Sequence, residues 1–145
     1  MIVATDDLGS YRGAVTMVDG GFDPLHPGHI AYFEAAAALE LPVLCNLCPD
    51  EWIARKHAPL LPQAERAAVI DAIRFVAYTH PSSLPTAEVL SRLAPRRYAK
   101  GADWRGRLPD EELTVCADLG IDVVYLDTVV DSSTGILERY RRASG

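Results

Sequence analysis

Lysine is almost missing from this chain of 145 residues: it occurs only at Lys56 and Lys100, and all other Lys or Arg positions are arginine. Long hydrophobic runs are missing as well. Hydrophobic residues make up 49% of the chain but fall in short runs, below the ~18 consecutive apolar residues that a membrane span needs. No membrane partner is expected. Positive charge is scarce overall, with a formal net charge of −6, which argues against a broad basic face for nucleic acid. Local basic clusters remain able to grip a small polyanion. The opening "MIVATDDLGSYRG" has two aspartates and no basic segment ahead of an apolar stretch, so it does not read as a secretory signal. A cytoplasmic setting is the resulting expectation. Internal repeats and low-complexity linkers are lacking too, and the length suits one domain.

Cysteine is sparse, at positions 45, 48 and 116, yet two of the three form a C-x-x-C spacing. A redox dithiol usually sits at a helix N-terminus, where the dipole lowers a thiol pKa. Here the pair lies in "PVLCNLCP", which reads as a buried strand, and a zinc site would want a second pair that the chain does not have. The cysteines are therefore expected to be small core residues.

What the chain does contain is an alternation of short apolar strands and helical segments. Strands are expected at 14–21, 41–48, 75–80, 96–101 and 121–127, with helices at 27–40, 62–75, 86–93, 109–120 and 134–142. Nearly continuous apolar strands separated by helices imply a parallel sheet covered on both faces. The expected fold is a single Rossmann-like α/β domain over 14–145, with a five-stranded parallel sheet and residues 1–13 as an N-terminal extension. In such sheets ligands bind beyond the carboxyl ends of the strands. The conspicuous segments 20–29, 50–57 and 100–107 all follow strands and can meet at that edge.

The densest chemistry lies in "GGFDPLHPGH", residues 20–29. Gly20 and Gly21 permit a tight turn and close approach to a ligand, and Pro27 suits a first helical turn. The free N–H groups of that helix end favour phosphate. His26 and His29, three apart, would project together and donate hydrogen bonds to phosphate oxygens as charge builds. Three other readings compete. The histidines could be structural; they could bind zinc, although no third ligand is close and the pattern is not HExxH; or they could serve a nucleophile, although no G-x-S-x-G elbow is present.

The ten residues 20–29 resemble the G-x-F-D-x-x-H-x-G-H signature of the cytidylyltransferase-like nucleotidyltransferases, matching six fixed positions. The family includes glycerol-3-phosphate cytidylyltransferase and the heptose-1-phosphate adenylyltransferase domain. "ERAAVIDAIRFV" (65–76), "KGADWRGR" (100–107) and "VVYLDTVVDSSTGIL" (123–137) are similar to further family segments. The resemblance implies transfer of a nucleoside monophosphate from a nucleoside triphosphate to a small acceptor bearing a phosphate or phosphonate, with pyrophosphate leaving. It implies His26, His29 and Lys56 as catalytic residues. Gly20, Gly21, Phe22, Asp23, Lys100, Gly101, Asp103, Trp104, Ser132, Ser133 and Thr134 would bind nucleotide, and Arg55 and Arg66 would bind the acceptor. It also implies Mg2+ or another divalent cation, with Asp103 as candidate ligand, and a homodimer formed through segment 65–76.

Two departures qualify that expectation. Gly21 stands where the cytidylyltransferases commonly carry a small hydroxyl residue, and the arginine that precedes the family's S-T-T segment, matched here by Ser132, Ser133 and Thr134, is replaced by Thr128, Val129 and Val130. Arg105, Arg107 and Arg139 are candidates to replace its charge, and the acceptor need not be held as glycerol 3-phosphate is. Asp103-Trp104 with Gly106 favours CTP, whereas Lys100-Gly101 is closer to the heptose-phosphate adenylyltransferases, so ATP is the alternative. A nucleotide sensor without turnover is the competing class.

Overall fold

The computed structural model describes residues 1–128 and 133–144. Its core is a parallel sheet of five strands: β1 (Thr16–Gly20), β2 (Val43–Leu47), β3 (Tyr78–Pro81), β4 (Arg97–Gly101) and β5 (Asp122–Leu126). Their spatial order is β3-β2-β1-β4-β5, so the direction of winding reverses between β1 and β4. That reversal opens a crevice at the carboxyl ends of these two strands. The expected parallel α/β architecture is thus present.

Helices cover both faces. Helices α1 (Pro27–Ala37) and α3 (Gln63–Asp71) pack Phe33, Ala36, Ala67 and Ile70 against Val18, Val43, Cys45 and Ala99. On the other face, α4 (Thr86–Leu93) and α5 (Asp110–Leu119) pack Val89, Leu90, Leu93 and Cys116 against Val15, Met17, Leu44 and Tyr98. Side chains of alternate strand residues go to opposite faces, which is why neighbours such as Met17 and Val18 belong to different clusters. Helix α5 ends where the spacing predicts, at Gly120, whose left-handed φ of 68° an L side chain adopts poorly. Two further helices complete the described chain: the short α2 (Asp50–Ile53) and the C-terminal α6 (Ser133–Ser144).

Two local expectations are revised, and one helix is added. Residues 1–13 are integrated into the domain: Thr5–Tyr11 forms a 3-10 turn, Val3 and Leu8 join the second core cluster, and Ile2 bridges to Thr79. The helix expected over 62–75 stops at Asp71, and the strand expected from residue 75 begins at Tyr78. Finally, the segment after β2 turns into α2 before reaching Lys56. The cysteines are free and buried, and burial pushes Cys45 well up and Cys48 to about 11, so both are core thiols. No helix among the described residues is long and apolar enough to cross a membrane.

Candidate active site

The segments after β1, β2, β3, β4 and β5 all contribute to one cleft of about 720 Å³. At its centre is the start of α1. His26 is the N-cap residue: its Nδ1 accepts from the Gly28 N–H at 3.1 Å, and the His29 Nδ1 accepts from the His26 N–H at 3.3 Å. This reciprocal arrangement is a capping box built from two imidazoles instead of a hydroxyl and a carboxylate. It also decides their chemistry. A nitrogen that accepts a backbone N–H carries no proton, so in each neutral ring the proton sits on Nε2. The rings stack with centroids 3.7 Å apart. Burial, and then the neighbouring His26, lower the His29 pKa to about 3, so at neutral pH His29 is an uncharged donor.

The turn before the helix is built around an aromatic ring. Phe22 adopts a positive φ of 52°, uncommon for a residue with a side chain, and its ring meets His29 edge-on at 4.9 Å and Phe33 at 5.0 Å. Gly20 is required by that ring, because a Cβ would come within 2.9 Å of Phe22 Cζ. At Gly21 a Cβ would crowd Ile53 and Cys48, at 3.1 and 3.2 Å. The small residues thus admit protein side chains that shape the turn, and both glycines also line the cleft. Asp23 is buried and accepts the Leu60 N–H at 2.7 Å, tying the turn to the segment that follows Lys56.

Most of the expected residues converge. Gly20, Gly21, Phe22, Asp23, His26, His29, Arg55, Lys56, Lys100, Gly101, Asp103 and Trp104 all line the cleft. The exposed Lys56 lies over the Trp52 ring, 4.4 Å from its centroid. Lys100 is buried, 3.9 Å from the Asp19 carboxylate and 4.3 Å from the Trp104 centroid. Thr128, in the stretch where the family arginine is missing, also faces the cleft. Ser132 lies outside the described residues. For Ser133 and Thr134 the structure describes the backbone, which opens α6.

Arg66 is the exception, and its expected acceptor role is revised. Only 1% exposed, it donates from Nε to Leu61 O, from Nη1 to Gly21 O and Cys48 O, each at 3.0 Å, and from Nη2 to Asp50 at 2.6 Å. With every guanidinium nitrogen engaged, it is a clamp joining the loops after β1 and β2 from behind the cleft. Asp103 as a metal ligand stands alone: among the described residues no cluster of three or more His, Cys, Asp or Glu is arranged to hold an ion.

Sequence reasoning missed the cleft floor. Asp19, Asn46, Trp52, Thr86 and Glu112 all face the cleft. Asp19 accepts from Asn46 Nδ2 at 2.9 Å and from Thr86 Oγ1 at 3.1 Å, while the Tyr98 hydroxyl donates to Glu112 at 2.7 Å. Burial raises the Glu112 pKa, and burial together with Asp19 and Glu112 raises that of Tyr98. A signal was available: Asp19 and Asn46 are polar residues within otherwise apolar strands.

Comparison with known proteins accords with this geometry. Residues 17–138 match the family model described as cytidylyltransferase-like. The chain belongs to this family. Among curated relatives of this cytidylyltransferase-like chain, the Bifunctional protein HldE of Magnetococcus marinus is 33% identical over 134 residues, 86% of this chain and 26% of that protein. The protein of the same name from Pseudomonas savastanoi pv. phaseolicola is 30% identical over 151 residues, 97% of this chain and 31% of that protein. The chain therefore spans less than a third of the length of either relative. The crystal structure of the lipopolysaccharide core biosynthesis protein from Thermoplasma volcanium GSS1 shares the fold, with a TM-score of 0.68 at 21% identity over 80% of this chain and 98% of that one.

Proposed function

We propose that this cytidylyltransferase-like chain transfers a nucleoside monophosphate from a nucleoside triphosphate to a small acceptor bearing a phosphate or phosphonate. An acceptor oxygen attacks the α-phosphorus, the bond to the bridging oxygen breaks, and pyrophosphate leaves with that electron pair. The observation that carries this reading is the paired imidazole cap. It opens a helix N-terminus onto the cleft that both histidines line, its hydrogen bonds put the proton of each neutral ring on Nε2, and His29 offers an uncharged donor to phosphate oxygens. Lys56, exposed at the cleft edge, supplies the charge for the triphosphate, and Arg55 is the nearby candidate for the acceptor. Lys100, Gly101, Asp103 and Trp104 are the nucleotide side in this proposal, and the family resemblance adds Ser132, Ser133 and Thr134 as candidates.

A divalent cation suits this chemistry because it offsets phosphate charge and aligns the chain for in-line displacement. Asp103, one of the carboxylates lining the cleft, is the residue that would hold such an ion together with substrate oxygens. For the base, Asp103-Trp104 and Gly106 support CTP, and Lys100-Gly101 supports ATP as the second reading. The HldE relatives lend CTP no support. A homodimer through segment 65–76 and a cytoplasmic location belong to the same proposal.

The test is pyrophosphate release from each of the four nucleoside triphosphates with a panel of sugar, polyol and phosphonate acceptors. Release that depends on both an acceptor and one triphosphate is expected. Nucleotide binding without release for any pair would identify a sensor instead.

A further inference from the structure

A row of polar side chains crosses the sheet just below the cleft, on the face covered by α4 and α5. Asp19 on β1 is in register with Asn46 on β2, and Asn46 is in register with His80 on β3. Hydrogen bonds follow that row. Asn46 Nδ2 donates to Asp19 at 2.9 Å, His80 Nδ1 lies 2.8 Å from Asn46 Oδ1, and Thr5 Oγ1 lies 2.8 Å from His80 Nε2. At the far end Asp19 is 3.9 Å from the Lys100 ammonium. Asn46, His80 and Lys100 are all buried.

The chemistry allows one direction along this row. An ionised Asp19 only accepts, so Asn46 must present its NH2 to it; the flipped amide would set oxygen against oxygen. Asn46 Oδ1 is then the acceptor for His80, which must carry its proton on Nδ1. Nε2 is left to accept the Thr5 hydroxyl. Burial supports the neutral ring by lowering the His80 pKa to about 4. The Thr86 hydroxyl holds the second Asp19 oxygen at 3.1 Å. The arrangement leaves the carboxylate one orientation, with an oxygen turned to Lys100.

We propose that Asp19 is a positioning residue that aims the Lys100 ammonium at substrate phosphate, and that Thr5, His80 and Asn46 set its orientation from the N-terminal segment. The phosphate role of Lys100 rests on the nucleotidyl-transfer reading above. Positioning and plain electrostatics act in opposite directions here. If charge alone mattered, removing Asp19 would strengthen anion binding; if aim matters, removal weakens it despite the lost negative charge.

Calorimetry with inorganic pyrophosphate, on wild type and four variants, separates the two. Asp19→Asn is expected to weaken binding ~10-fold, the order of one charge-assisted contact. His80→Gln and Thr5→Val, which leave the charge of the cleft unchanged, are expected to weaken it by a smaller factor. His80→Asn, whose amide nitrogen takes the place of Nδ1–H, is expected to restore affinity close to wild type. Nitrogen-15 NMR of wild type should place the His80 proton on Nδ1. Tighter binding by Asp19→Asn, equal losses in His80→Gln and His80→Asn, a proton on Nε2, or no pyrophosphate binding by wild type would each overturn the proposal. Thr5→Val keeps the test open if the His80 variants do not fold. Wild type that binds pyrophosphate yet releases none from any triphosphate sinks the transfer reading, and the variant affinities still judge this one.

Discussion

The histidine cap and the polar row lie at the same cleft but are assembled in opposite ways. The hydrogen bonds of the cap join residues two and three positions apart, within one turn of α1. The bonds of the row join residues 27, 34 and 75 positions apart, and exist only once β1, β2 and β3 are in register. The cap is a local consequence of helix geometry, whereas the row depends on the tertiary fold. Substitutions in the first should change chemistry far more than stability, costing about 1 kcal/mol for a lost helix cap, and substitutions in the second should move stability and substrate alignment together.

The largest effect is expected from His29→Ala. Removing a preorganised donor should lower turnover by ~10² or more while nucleotide affinity stays within a few-fold. Steady-state rates beside nucleotide titrations check this, and an unchanged rate would remove His29 from the chemistry. Arg66→Met should act in the reverse sense. It leaves the carbonyls of Leu61, Gly21 and Cys48 without their donor, so unfolding should become easier by about 2–3 kcal/mol in denaturant titrations. If stability held and only acceptor affinity fell, Arg66 would regain the acceptor role that its burial argues against.

A pH experiment addresses both regions. His29 and His80 are held near 3 and 4, below the ordinary value of about 6.5, so between these values the unfolded chain binds more protons than the folded one. Their contribution to stability is therefore complete above about pH 6.5 and is lost as pH falls, towards 4 for His80 and towards 3 for His29. The thermal midpoint should drop over that window, and His80→Asn should flatten part of the slope. An identical slope in the variant would mean that His80 is not held neutral by the fold. The smallest effect is expected from Thr5→Val, which removes one hydroxyl at the end of the row and should cost about 1 kcal/mol of stability.

Legibility in the sequence followed the same division. The alternation of apolar strands and helices was enough to anticipate five parallel strands, because burial on both faces writes itself into composition. The motif from Gly20 to His29 was readable because its residues meet through local geometry. The integration of residues 1–13 was not readable, since Leu8 and Val3 gain their burial from α4 and the sheet, elements distant in sequence. Arg66 was misjudged for a related reason. The family resemblance of its segment marked it for the acceptor, but the three carbonyls that surround it become visible only when the loops after β1 and β2 come together. Asp19 and Asn46 gave a faint signal as polar residues in apolar strands. Their partners Thr86 and His80 lie on other elements, which no local pattern reports.

Nucleotidyl transfer at the imidazole cap is tested most directly by phosphorus NMR of the purified protein with CTP or ATP, Mg2+ and each phosphorylated acceptor in turn. The expected result is the paired appearance of a nucleoside diphosphate diester and free pyrophosphate, both formed ~10²-fold more slowly in His29→Ala. Formation of nucleoside diphosphate with inorganic phosphate, or an unchanged triphosphate spectrum with every acceptor, would contradict it.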